Sequence, residues 1–169
     1  MRRGPGGLNL HDERMQIAQR CEARKAKNDG YATKRLVSTD SQALCTEEPI
    51  VVLFYWLTCP YSRKYKEFWN SVADEHNAQG KRCPVPMIAV KKEVMVDIVR
   101  SIDGPGCVGG YVKEFPTVRI LQHGKLVKEL ANPCRPEEGI NPTSRLRMLV
   151  QEACEMVEFT DPGFRPPYP

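Results

Sequence analysis

The hydrophobic pattern is centred on PIVVLFYWL, residues 49–57, a continuous apolar run rich in β-branched and aromatic residues. Such a run suits a strand buried on both faces, in the middle of a sheet covered by helices. It breaks at TCPYS and gives way to a charged pattern that predicts a helix from about Ser62 to Asn77. Tyr65, Phe68, Trp69 and Val72 fall on one face of it, at i, i+3, i+4 and i+7. Further along, VPMIAV reads as a strand and EVMVDIVRSI as a helix stopped by DGPGCVGG. FPTVRIL and LVKEL read as a hairpin that turns at QHGK, and TSRLRMLVQEACEMV as a last helix capped by Thr143 or Ser144.

Upstream, KRLVS predicts a short strand and TDSQALCTEE a short helix with Ser38 or Asp40 as cap. The order β-α-β-α-β-α-β-β-α favours parallel pairing early and an antiparallel pair late. The fold class expected is therefore α/β, a mixed central sheet between helices. Residues 33–158 form the domain on this reading. Residues 1–32 make an N-terminal arm, with a helix from Leu10 to about Lys27 capped by Asn9. Its apolar stripe is thin, and its second half is basic through Arg20, Arg24, Lys25 and Lys27. Residues 159–169 form a proline-rich tail that cannot pack a core.

At 169 residues and 41% hydrophobic content, the chain is long enough for one domain with a real core. A net charge of +4, from 25 basic and 21 acidic residues, fits a solvated mixed surface. The basic arm lacks interleaved aromatics, so nucleic acid is not the expected partner. No apolar run approaches the ~20 residues of a membrane span, and MRRGPGGLNLHDERMQ has no hydrophobic signal core. An intracellular, reducing setting is the expectation.

Cysteines stand at 21, 45, 59, 83, 107, 134 and 154, an odd number with no CxxC pair. That pattern argues against a zinc cage and against a disulfide framework, so most are expected as buried thiols. Cys59 differs by position. It stands where a strand gives way to a helix, facing unpaired backbone N–H groups and the positive end of the helix dipole. Both stabilise negative charge, and the thiolate is the reactive form of cysteine. Pro60 suits a helix start because its missing N–H is not needed there. Ser62 stands where a second thiol would release a mixed disulfide; its hydroxyl can hydrogen-bond a thiolate but forms no disulfide.

The strand leading into CPYS, with Phe54-Tyr55 before it, resembles the active-site region of the thioredoxin family. VKEFPTVRILQHGKLVKEL is similar to that family's segment holding a cis-proline and the hairpin after it. The resemblance spans roughly Lys34 to Val157 and implies a thioredoxin-like three-layer sandwich. It also implies that Cys59 is the nucleophile, with Pro60, Tyr61 and Ser62 around it. Pro116 is then cis, and Phe115 presents its backbone to an extended substrate. Four departures stand out: Ser62 for the resolving cysteine, Thr58 for a tryptophan, Leu53 for a buried acid, and the long connection DGPGCVGGY, which brings in Cys107.

Two functions are compatible with these residues. The expected one is a structural subunit of a larger assembly, such as a virus particle, an organellar ribosome or a ciliary complex, tied to protein partners through residues 1–32 and 159–169. The other is a single-cysteine thiol–disulfide oxidoreductase or isomerase acting through Cys59, with Cys107 as a distant resolver. No cofactor or metal is implied, beyond glutathione as an external thiol. Even for glutathione, QHGK stands where the family's glycine pair would be. Trp56 and Trp69 are expected in the core, His123 exposed in a turn, and His11 and His76 without a cysteine or acid partner.

Overall fold

The computed structural model describes residues 10–16, 19, 29–35, 43–78, 83–100 and 107–160. Strand β1 (Lys34–Arg35) is followed by β2 (Ile50–Tyr55), α1 (Pro60–Ala78), β3 (Met87–Lys91) and α2 (Lys92–Arg100). Then come β4 (Thr117–Gln122), β5 (Lys125–Leu130) and α3 (Pro142–Thr160). The strands form one mixed sheet in the order β1-β3-β2-β4-β5. β3 pairs parallel with β1 and β2, whereas β4 pairs antiparallel with β2 and β5. This is the expected sandwich.

The alternation of β2 splits the core in two. Val51, Leu53 and Tyr55 join a cluster with Tyr65, Trp69 and Val72 of α1 and Leu146, Leu149 and Ala153 of α3. Ile50, Val52 and Phe54 join the opposite cluster, with Met95 and Ile98 of α2. Every residue of β2 is buried, each large apolar side chain contributing about 1.5–3 kcal/mol. The apolar run at 49–57 thus marks the central strand because neither of its faces meets water. Trp69 is fully buried as expected, and its indole N–H donates to Thr33 Oγ1 at 3.0 Å.

Several sequence expectations shift. Residues 29–32, drawn into the arm, pack into the domain. Tyr31 is buried against Tyr55 at 4.2 Å between ring centroids, and Tyr55 donates to Asp29. Of the helix expected over residues 10–27, residues 10–16 are helical; most of its second half, residues 1–9 and residues 161–169 lie outside the described residues. Of the helix proposed within residues 39–48, residues 43–44 are a helical turn and 45–48 do not continue it, while residues 36–42 lie outside the description. Helix α3 is capped by Asn141 rather than Thr143 or Ser144: Asn141 Oδ1 accepts from Ser144 N–H at 2.8 Å. Pro142 takes the first helical position, where no N–H is needed. Among the described residues, no helix is long and apolar enough to cross a membrane.

The cysteines are not mostly thiols. Cys45 bonds Cys107 and Cys83 bonds Cys154, across separations of 62 and 71 residues. The first ties the turn before β2 to the connection after α2. The second ties the approach to β3 onto α3. Cys107 is therefore not available as a distant resolver for Cys59. Spacing alone could not show either bond, because each closes through the tertiary fold.

Candidate functional site

Sheet register brings the two motifs together. Phe54 in β2 pairs with Thr117 in β4, so the chain just after β2 and the chain just before β4 emerge side by side. The first carries Cys59 and the second Phe115 and Pro116. The Phe115–Pro116 peptide bond is cis. Cys59 closes the turn from strand to helix: its N–H donates to Trp56 O at 3.0 Å, and its carbonyl accepts from Arg63 N–H at 3.1 Å. Cys59 is thus the residue that opens α1, half-buried, with its sulfur 3.4 Å from the carbonyl oxygen of Phe115.

Ser62 is only 1% exposed, and its hydroxyl oxygen accepts from Trp56 N–H at 3.1 Å. Among the described residues it makes no hydrogen bond to Cys59. The position of the missing second thiol therefore serves to clip the strand–helix junction. Pro60 and Tyr61 are exposed beside Cys59, Tyr61 with 64% of its surface free.

An open cavity of about 590 Å³ lies over the sulfur. Trp56, Tyr61, Phe115 and Pro116 line it together with Cys59. Trp56 is thus a wall of the site and not part of the core. Its ring meets Phe115 edge-on at 6.4 Å, and the Lys92 ammonium sits 3.7 Å over it. Lys64, Lys113 and Arg135 also line the cavity, against the single acid Glu114. The local balance favours an anionic ligand or an acidic segment.

The cavity holds a second free thiol, Cys134, which sequence spacing did not reveal. Its sulfur is 3.5 Å from the carbonyl oxygen of Tyr61, in the first turn of the helix that Cys59 opens. Burial pushes the Cys134 thiol up; the Lys64 ammonium pulls it down, and neighbouring Cys59 adds to the rise. The loop carrying Cys134 is held from below by Arg145, 7% exposed on α3. Its guanidinium donates to the carbonyls of Ala131, Asn132 and Arg135 and pairs with Glu137 at 2.8 Å. Tyr65 lies fully buried beneath, its hydroxyl without a hydrogen-bond partner among the described residues. Burial pushes that phenol well above its usual range, with the charge of Cys134 adding and Arg145 opposing.

His76 has more company than expected. It contacts Val85 O at 2.6 Å, and a ring nitrogen lies within 4.8 Å of the sulfurs of Cys83 and Cys154. Those sulfurs are bonded to each other, so they are not the thiolates a metal requires. His123 is exposed in the β4–β5 turn, as expected, with a positive φ of 54°.

No family model matches the chain, and no curated protein matches it in sequence. Solved structures do match in fold. A thioredoxin of Malassezia sympodialis, Mala s 13, is 13% identical with a TM-score of 0.51, covering 72% of this chain and 90% of that one. Human ERp44 in its zinc-bound form is 14% identical with a TM-score of 0.52, covering 77% of this chain and 31% of that one. The chain has a thioredoxin-like fold.

Proposed function

We propose that the protein carries out thiol–disulfide exchange through Cys59 on an extended, cysteine-bearing polypeptide. The observation that supports this most is the meeting of a half-exposed sulfur, at the start of α1, with the backbone of Phe115 in an open cavity. A thiolate attacks a disulfide sulfur to give a mixed disulfide, and Cys59 places its sulfur where an incoming segment can meet it. A substrate segment lying beside Phe115 can add strand-like hydrogen bonds that hold its sulfur in line. The basic lining favours substrates with acids flanking the cysteine, and glutathione, itself anionic, is a thiol of the right class to release the adduct. The two disulfides favour an oxidising setting over the reducing one expected from the lack of a hydrophobic signal core, since such bonds persist there.

The test is reduction of insulin disulfides under limiting dithiol, wild type against Cys59→Ser. Cys59→Ser is expected to fall to the uncatalysed rate. Equal activity in the two proteins sinks the reading. A purely architectural role in a larger particle predicts that equality.

A further inference from the structure

We propose that Cys134 is the resolving thiol for Cys59, supplied from the loop after β5 in place of the residue at Ser62. This rests on Cys59 being the attacking thiol. Four observations carry it. Cys59 and Cys134 are the two free cysteines among the described residues, and both line the same cavity. The Cys134 sulfur touches the carbonyl of Tyr61, two residues past Cys59 on the turn that Cys59 opens. The loop that carries Cys134 is a built one: a buried arginine turns both terminal nitrogens of its fork to that loop, binding three carbonyls and a carboxylate. Beside this loop lies the buried hydroxyl of Tyr65, which has no hydrogen-bond partner among the described residues.

Topology explains why the second thiol comes from so far along the chain. Strand β4 leaves the site and β5 returns to it, with Leu130 opposite Val118. The residues after β5 therefore close over the same end of the sheet as Cys59. The position three residues past Cys59 is occupied by a buried backbone clip, so a thiol approaching from above the cavity takes the open side.

The chemistry balances as two successive exchanges. The Cys59 thiolate attacks one sulfur of a substrate disulfide. A Cys59–substrate bond forms, the substrate S–S bond breaks, and the first substrate thiolate leaves and takes up a proton. Cys134 then gives its proton to solvent and attacks the Cys59 sulfur. A Cys59–Cys134 bond forms and the second substrate thiolate departs. Two electrons pass from the Cys59–Cys134 pair to the substrate. A dithiol or a pair of glutathione-class thiols returns them.

The probe is 5,5′-dithiobis(2-nitrobenzoate), one equivalent on the full chain with Cys21→Ser in every protein compared and Cys45–Cys107 and Cys83–Cys154 left intact. Wild type should release about two equivalents of nitrothiobenzoate and retain none, leaving a Cys59–Cys134 crosslink in the non-reduced digest. Cys134→Ser and Cys134→Ala should each release about one equivalent and keep the other as a stable adduct on Cys59. Wild type that keeps the adduct as the Cys134 variants do, with no crosslink, overturns the proposal while leaving Cys59 reactive. Release by Cys59→Ser that matches wild type overturns the reading of Cys59 itself, and with it the resolver.

Discussion

Ser62 Oγ accepts a hydrogen bond from the backbone N–H of Trp56 at 3.1 Å, joining the end of β2 to the second residue past the start of α1. The bond is buried on the serine side, so its loss leaves an N–H with no partner. Ser62→Ala should therefore lower stability by about 1–2 kcal/mol, read as a shift in the urea midpoint at unchanged slope. An unchanged midpoint would mean that water replaces the hydroxyl and that the junction does not depend on it.

Arg145 and Glu137 form an unequal pair. The arginine side chain is 7% exposed and the carboxylate 64%. Removing the buried partner strips hydrogen bonds from three loop carbonyls, whereas removing the exposed one strips a screened charge. Arg145→Met should cost about 2–4 kcal/mol, and Glu137→Gln under about 1 kcal/mol. Arg145→Lys should recover only part of the loss, since an ammonium cannot span carbonyls that a planar fork bridges. Equal denaturation midpoints for Arg145→Met and Glu137→Gln would refute this account of the loop.

Much of this fold is legible in the sequence. The run at 49–57 marks the central strand because it is apolar on both faces, and the Tyr65–Trp69–Val72 stripe marks the buried face of α1 because it keeps helical spacing. The site is half legible. Cys59, Phe115 and Pro116 stand out because strand–turn–helix and turn–hairpin contexts are local. Cys134 does not, because its partner is 75 positions away by number, from 59 to 134, and meets it only through the return of the β4–β5 hairpin. Following the hairpin's direction would have placed residues after Leu130 at the Cys59 end. Trp56 reads as core because it lies within an apolar run; one residue past β2, it lines the cavity instead. The disulfides are illegible in the sequence for the same reason as Cys134, since each joins cysteines 62 or 71 residues apart.

The Cys83–Cys154 bond closes a separation of 71 residues and pins α3 to the segment leading into β3. In the chain-entropy account a loop of that size contributes about 4 kcal/mol, and measured values run about 2–4 kcal/mol. Cys83→Ser with Cys154→Ser should lower the unfolding free energy by about 2–4 kcal/mol, because both hydroxyls also enter a nearly dry site. Thermal unfolding of the double variant with and without dithiothreitol checks this. Reductant should lower Tm further, through Cys45–Cys107. A double variant as stable as wild type would show that the bond is not formed in solution.

Cys134 should titrate late. Burial disfavours its thiolate first, the charge of Cys59 adds to that, and only Lys64 opposes it. A folded value above the unfolded one means that folding favours the protonated thiol. The associated stability is present below the unfolded thiol's value and fades as pH rises through the folded one. Alkylation of Cys134 by iodoacetamide, followed by peptide mass, should reach half its limiting rate at higher pH in the native chain than in urea. Lys64→Gln should move that midpoint higher still, because it removes the one charge that stabilises the anion, and Cys59→Ser should move it lower. A native midpoint at or below the urea value would show the sulfur to be solvated, and would leave the loop's hold on Cys134 without consequence for its chemistry.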